Sequence, residues 1–141
     1  MSTKYRFADK DGVYFTTSTV VGWADVFTRK EYKEILLHST RHCQKEKGLI
    51  LYSWCLMSNH VHLVISAKEH NPSDILRDFK KYTSKQIIKA ITEHPAESRK
   101  EWMLLYLRKL AKQIAVMPVI SFGDRITSQK NCTTSVLRAK N

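Results

Sequence analysis

One stretch predicts the fold: Trp54-Cys-Leu-Met-Ser-Asn-His-Val-His-Leu-Val-Ile65. A short apolar run bounded by polar residues is typical of a β-strand, whose side chains alternate between two faces. His60 and His62 therefore point to one face, while Val61 and Leu63 point to the other, into a core. Two imidazoles side by side on a sheet can bind one Zn, Mn or Fe ion, with a third ligand supplied from elsewhere.

Length and composition limit the class of protein. The chain has 141 residues, of which 43% are hydrophobic, so we expect one folded domain with its own core. No apolar run approaches the ~20 residues of a membrane span. The N-terminus, Met-Ser-Thr-Lys-Tyr-Arg-Phe, lacks the apolar segment of a secretion signal. We therefore expect no membrane association.

The cysteines and the charge indicate the compartment and the partner. Cys43, Cys55 and Cys132 are odd in number and widely spaced, which disfavours a disulfide framework or a structural zinc site and fits a reducing cytoplasm. The formal net charge of +11 indicates a polyanionic partner, with nucleic acid as the first candidate. The alternative is a charge that serves only solubility.

Hydrophobic periodicity and turn residues predict the order of the elements. Gly48 is a natural C-cap for the first helix, and Asn71 with Pro72 is a strong helix start. The order β-α-β-β-α is the split β-α-β arrangement of an α+β fold, either ferredoxin-like or RRM-like. In such a fold the sheet is antiparallel, the helices cover one face, and strands one and three lie at its centre. The predicted elements are a strand over 13–21, a helix capped by Thr28 and Glu31 that runs to about Lys47, strands over 49–57 and 60–67, and helices over 72–93 and 96–112.

The later helices combine an apolar and a basic face. The helix over 72–93 is predicted to bury Ile75, Leu76, Phe79, Tyr82, Thr83, Ile87 and Ala90. Its outer flank would carry Arg77, Lys80, Lys81, Lys85 and Lys89. The helix over 96–112 has Trp102, Leu105, Tyr106, Lys109 and Leu110 on or beside one face. In the loop after the first strand, Trp23 has two interpretations, stacking on a base and packing in the core.

The phrase Trp54-Cys-Leu-Met-Ser-Asn-His-Val-His-Leu closely resembles the W-x-x-M-x-N-H-x-H-L signature of the single-tyrosine HUH transposases, in particular the REP-associated group. The resemblance implies the same fold, with His60 and His62 as ligands of Mg²⁺ or Mn²⁺. It implies binding of single-stranded or hairpin DNA, a homodimer, and DNA transposition by cleavage and joining through a phosphotyrosine. The DNA-binding candidates are Asn59, Arg77, Lys80, Lys81 and Lys85.

The end of the chain departs from this family, in which the nucleophilic tyrosine lies on a later helix, often in a Tyr-Ile-x-x-Asn-Pro phrase. All six tyrosines here (positions 5, 14, 32, 52, 82 and 106) precede residue 107. We hypothesise that a frameshift near codons 112–113 replaced the native C-terminus. On this hypothesis the chain consists of a transposase-like domain over 1–112 and an atypical tail over 113–141. Within the tail, residues 116–122 favour a fourth strand, confined to an edge by Pro118.

Two tyrosines are candidates to replace the missing nucleophile. Tyr82 lies on the predicted buried stripe of its helix, and Tyr106 lies on the later helix. The sequence therefore leaves two functions open, a metal-dependent transposase and a DNA-binding relic that no longer cleaves. An RNA-recognition domain is disfavoured because its aromatic phrases are absent, and a metalloprotease because there is no H-E-x-x-H.

Overall fold

In the computed structural model the described residues are 11–69, 71–113, 120–121 and 127–128. They form an α+β fold, as the sequence predicts. The elements are β1 (Tyr14–Val20), a 3₁₀ turn (Val21–Trp23), α1 (Lys30–Glu46), β2 (Leu49–Leu56), β3 (His60–Ala67), α2 (Pro72–Glu93), α3 (Lys100–Gln113), β4 (Ile120–Ser121) and β5 (Thr127–Ser128). In the part of the chain so described, no helix is both long and apolar enough to cross a bilayer.

The sheet is antiparallel and has the order β2-β3-β1-β4, with β5 also paired to β1. β1 and β3 are therefore central, as predicted. His62 lies opposite Thr17 of β1 on one side and opposite Cys55 of β2 on the other. An irregularity between Leu51 and Ser53 shifts the register of β2.

The predicted alternation of β3 is confirmed. Val61, Leu63 and Ile65 are almost fully buried and join one hydrophobic cluster with side chains of α1 and α2, among them Leu36 and Phe79. Because strand side chains alternate, His60 and His62 project from the opposite side. We call that side the histidine face.

Two predicted helix ends are confirmed, and one is wrong. Gly48, at φ +72°, ends α1 in the left-handed conformation that glycine tolerates best. Asn71 caps α2, because its Oδ1 accepts a hydrogen bond of 3.0 Å from the backbone N of Ser73. The predicted cap at Thr28 does not form. α1 begins at Lys30 without a side-chain cap, and the Thr28 hydroxyl instead accepts a hydrogen bond from Arg99.

The faces predicted for α2 and α3 need correction. Lys80, predicted on the outer flank, is only 9% exposed, whereas Tyr82, predicted to be buried, is 45% exposed. Tyr82 lies at the edge of the contact with α1, where it stacks on His42 and lines a cavity, and so it stays partly exposed. Lys80 lies on the buried side of α2 with Thr83 and Ser84, and a lysine stem buries readily. Within residues 100–109 of α3, Met103 and Leu107 are buried, while Trp102 and Leu105 are exposed.

The predicted fourth strand over 116–122 falls largely outside the described residues. Within it, Ile120–Ser121 is described and pairs with Val20 and Thr19 of β1, at the end of the strand order. Thr127–Ser128 pairs with Phe15 and Tyr14 of the same strand. The rest of the tail over 114–141, including Pro118, lies outside the described part of the chain.

Candidate functional site

His60 and His62 lie together on the histidine face, as the strand period predicts. Their ring centroids are 4.7 Å apart, and the ring planes are inclined at 77°. Both side chains are half-buried. The strand thus presents two imidazoles that can approach the same small ligand.

The orientation of the His60 ring follows from its neighbour Asn59. The Asn59 Nδ2 donates a hydrogen bond of 3.4 Å to the carbonyl oxygen of Trp23, which directs Oδ1 towards His60. His60 Nδ1 lies 2.7 Å from that Oδ1 and must therefore donate. A neutral His60 then has its lone pair on Nε2, where it can bind a cation.

His62 is held by the adjacent strand. Its Nδ1 lies 2.9 Å from the hydroxyl of Thr17, and its ring stacks on Phe15 with a centroid distance of 5.3 Å. Burial lowers the pKa of His62, and the charge of His60 lowers it further. Both effects favour the neutral imidazole, which is the form that binds metal ions.

The donor set fits part of a divalent-metal site. Each histidine has a hydrogen-bond partner on Nδ1, the arrangement that fixes ligating imidazoles in proteins. Within the described ranges, no group of three or more His, Cys, Asp or Glu side chains is placed to hold a metal ion. The pair therefore supplies two ligands, and water or a phosphate oxygen would have to supply others from outside this group.

The turn before His60 is fixed by backbone hydrogen bonds. Val20 N donates to the carbonyl of Asn59, and Phe27 N donates to the carbonyl of Ser58, each at 2.8 Å. The Ser58 hydroxyl also donates to Asp25 at 2.6 Å. The loop after β1 therefore determines where the turn, and with it His60, is placed.

A buried carboxylate that the sequence did not reveal holds this loop. Glu97, whose side chain is fully buried, accepts hydrogen bonds from Arg29 Nε at 2.8 Å and from the Tyr32 hydroxyl at 2.9 Å. Its other oxygen accepts from Arg99 N and Nε at 3.1 and 3.3 Å. Arg99 in turn donates to the carbonyl of Asp25 at 3.0 Å. These contacts join the segment before α3 to the loop that holds the His60 turn.

The protonation state of Glu97 follows from these partners. Burial acts to raise its pKa, but the hydrogen bonds from Arg99, Tyr32 and Arg29 and the charge of Arg99 outweigh burial and lower the pKa to about 2. The pKa of Tyr32 is raised to about 12 by burial and by its hydrogen bond to Glu97. The carboxylate is thus ionised, and the phenol is neutral, near neutral pH.

The two candidate tyrosines lie in different places. The Tyr106 hydroxyl donates a hydrogen bond of 3.1 Å to the carbonyl of Gly22, next to Trp23, whose ring meets His60 edge-on at 6.3 Å. Tyr82 instead stacks on His42 of α1, at a centroid distance of 6.3 Å, in the helical layer. Tyr106 is therefore connected to the surroundings of His60, and Tyr82 is on the other side of the sheet.

The basic DNA-binding candidates also lie in the helical layer. Lys81 and Lys85 line a cavity of about 310 Å³ between α1 and α2, together with His42 and Tyr82. Arg77 is paired with Asp74 and Asp78, and Lys80 is buried. The structure thus keeps Asn59, His60 and His62 together but places the basic candidates on the opposite side of the sheet.

Comparison with known proteins identifies relatives. The model of the IS200-like transposase family matches residues 23–113. A REP-associated tyrosine transposase bound to a REP hairpin has a similar fold, with a TM-score of 0.60 and 13% identity over 94% of this chain, which spans 64% of that protein's length. A proposed transposase from Deinococcus radiodurans R1 gives a TM-score of 0.48 and 18% identity, covering 76% of this chain and 96% of that one. No curated protein matches the sequence.

Proposed function

Because the chain belongs to the IS200-like transposase family, we propose that it binds single-stranded or hairpin DNA and cleaves and rejoins a strand at the histidine face. The observation that carries the proposal is the pairing of His60 and His62, whose ring centroids are 4.7 Å apart. In each ring, a neighbouring side chain forms a hydrogen bond with Nδ1. This arrangement leaves Nε2 of both rings to face a ligand.

The proposed cofactor is Mg²⁺ or Mn²⁺, held by His60 and His62. When bound, such an ion would polarise the scissile phosphate and offset the negative charge that develops on it during the reaction. Asn59 and Thr17 would orient the two imidazoles, and Phe15 would shield His62 from water. Burial lowers the pKa of His62, which favours the neutral ring that this role requires.

We propose Tyr106 as the nucleophile, with Tyr82 as the alternative. The phenol loses its proton, its oxygen attacks the phosphorus, and the bond between phosphorus and the 3′ oxygen breaks. The 3′ oxygen takes up a proton and leaves as a free 3′-hydroxyl. The DNA stays joined as a 5′-phosphotyrosine, which conserves the bond energy for rejoining. The contact of Tyr106 with Gly22, beside Trp23 and His60, supports this choice.

The proposed DNA-binding surface includes the exposed basic side chains of α2. Arg77, Lys81 and Lys85 are exposed, and phosphate contacts by such groups give a salt-dependent affinity. Since they lie across the sheet from His60, we propose that they hold a different part of the DNA from the part that is cut. The hairpin bound by the structurally similar REP-associated transposase supports DNA as the partner.

A DNA-binding protein without cleavage activity is the second candidate. One observation favours it: the Tyr106 hydroxyl is engaged by the Gly22 carbonyl and must leave this contact before it can attack a phosphate. Such a protein would keep the fold and the basic surface and would bind the same DNA.

The test is a covalent-adduct assay. Labelled single-stranded DNA from the flanks of the gene is incubated with protein and Mg²⁺ or Mn²⁺ and run on a denaturing gel, with native gels to measure binding. We expect a metal-dependent shifted band that is lost in the His60→Ala/His62→Ala variant while DNA binding persists. Binding without any adduct would favour the second candidate, and no DNA binding at all would overturn both.

A further inference from the structure

Trp23 has a backbone conformation that tryptophan rarely adopts. Its φ is +59°, in the left-handed region, and among the described residues it is the one non-glycine residue with positive φ. For a bulky side chain this conformation is strained. Such strain persists where surrounding contacts enforce it, and it clusters at functional sites.

Contacts on both sides enforce the conformation. The Trp23 carbonyl accepts a hydrogen bond from Asn59 Nδ2 at 3.4 Å, and the preceding carbonyl, of Gly22, accepts one from the Tyr106 hydroxyl at 3.1 Å. The flanking residues Val21 and Ala24 are buried, which anchors the turn at both ends. The backbone of Trp23 is thus held by the same side chains that adjoin the candidate site.

The indole ring of Trp23 makes few stabilising contacts with the rest of the described structure. Residue Trp23 is 67% exposed, so burial of the side chain does not compensate for the strain. Its ring meets His60 edge-on, with a centroid distance of 6.3 Å and an interplanar angle of 68°. A large flat apolar surface is therefore presented to solvent beside the histidine pair.

We propose that Trp23 is a stacking platform for an unpaired DNA base next to the phosphate that is cleaved beside His60 and His62. This inference rests on the proposed function and adds the subsite that holds the nucleotide in place. A base is the flat partner that suits an exposed indole, and aromatic stacking is a general means of holding single-stranded nucleic acid. The net charge of +11 favours the same polyanionic partner.

The decisive variant is Trp23→Gly. Glycine adopts the left-handed region without strain, which offsets the freedom that it adds to the unfolded chain, so we expect the variant's melting temperature to stay close to that of the wild type. The stacking surface is lost, and we expect affinity for single-stranded DNA to fall about tenfold or more. Trp54→Ala, which removes an exposed indole from β2, is the matched control and should bind as the wild type does.

The DNA supplies the second half of the test. Binding is compared for the gene-flank oligonucleotide and for an oligomer of equal length made of abasic deoxyribose phosphate, which keeps the charges and removes the bases. We expect Trp23→Gly to weaken binding of the first and to leave binding of the second unchanged. In a Trp54→Phe/Trp102→Phe protein, Trp23 is the one remaining tryptophan. Its fluorescence should be quenched by the gene-flank oligonucleotide and not by the abasic oligomer.

The outcomes separate the two proposals. If wild-type protein binds the oligonucleotide and Trp23→Gly binds it equally well, the stacking role is overturned while the proposed function stands. Equal weakening with both oligomers would likewise overturn stacking, because the loss would not depend on bases. A wild-type protein that binds neither oligomer would overturn the proposed function together with this subsite.

Discussion

The Tyr106 hydroxyl donates a hydrogen bond of 3.1 Å to the carbonyl oxygen of Gly22, which joins α3 to the turn that follows β1. Gly22 precedes Trp23, and Trp23 accepts a hydrogen bond from Asn59, which orients His60. A tyrosine late in the chain is thus connected, through two neighbouring backbone carbonyls, to one of the candidate metal ligands. This relationship distinguishes Tyr106 from Tyr82.

Replacing each tyrosine by phenylalanine should locate the nucleophile. We expect Tyr106→Phe to abolish the covalent DNA adduct and to lower stability by about 1 kcal/mol, because one hydrogen bond is lost. Tyr82→Phe should keep the adduct. Denaturing gels and peptide mapping of the labelled adduct measure the result. An adduct that survives Tyr106→Phe and disappears in Tyr82→Phe would reverse the assignment.

Asn59 should affect metal affinity through His60. Asn59→Ala removes the acceptor for His60 Nδ1, and loss of such an orienting partner typically costs about tenfold to 100-fold in metal affinity. Asn59→Asp keeps an acceptor for His60 Nδ1 but loses the donor to the Trp23 carbonyl, so its affinity for Mn²⁺ should lie above that of Asn59→Ala. Calorimetric titration with Mn²⁺ is the measurement, and Ser53→Ala on β2 is the control. Unchanged affinity in Asn59→Ala would exclude an orienting role.

Glu97 should make stability depend on pH in the acid range. Its pKa falls from the ordinary 4.5 to about 2 in the folded protein. A depressed carboxyl pKa stabilises the fold fully above pH 4.5, and this stabilisation is lost as the pH falls from about 4.5 to 2. The shift corresponds to roughly 3 kcal/mol. Denaturant melts across this range should show the loss.

Glu97→Gln tests the same carboxylate at neutral pH. We expect it to destabilise the fold by about 3 kcal/mol, because it leaves Arg29 and Arg99 without their buried anion. It should also remove the pH dependence assigned to Glu97. Glu101→Gln, at an exposed position of α3, is the control and should change stability by less than about 0.5 kcal/mol. Equal effects of the two variants would show that the buried network contributes little.

The salt dependence of DNA binding should identify the basic contacts. Lys81→Gln with Lys85→Gln should reduce the slope of log affinity against log salt concentration by about 1.5 units, if each lysine contacts one phosphate. Lys33→Gln with Lys45→Gln removes the same charge from exposed positions of α1 and should leave the slope nearly unchanged. Similar slopes for both pairs would place the DNA elsewhere. Lys80 is left intact because it is buried.

Several features of the fold could be predicted because their causes are local. Gly48 ends α1 and Asn71 begins α2 through conformational and hydrogen-bonding preferences of single residues. The faces of α2 could not be predicted in the same way. Lys80 is buried, whereas Tyr82 lies at the edge of the contact with α1 and stays exposed. The apolar pattern of one helix does not specify where a neighbouring helix packs against it.

The sequence by itself determined that His60 and His62 share one face and that Val61 and Leu63 enter the core, because a strand alternates its side chains with a period of two. Only the tertiary structure decided which tyrosine contacts the turn after β1 and which carboxylate is buried with Arg29 and Arg99. Tyr106 and Gly22 are 84 positions apart, and Glu97 and Arg29 are 68 apart. Contacts between residues so far apart in sequence form only when the helices and the sheet pack together. No local sequence pattern specifies that packing.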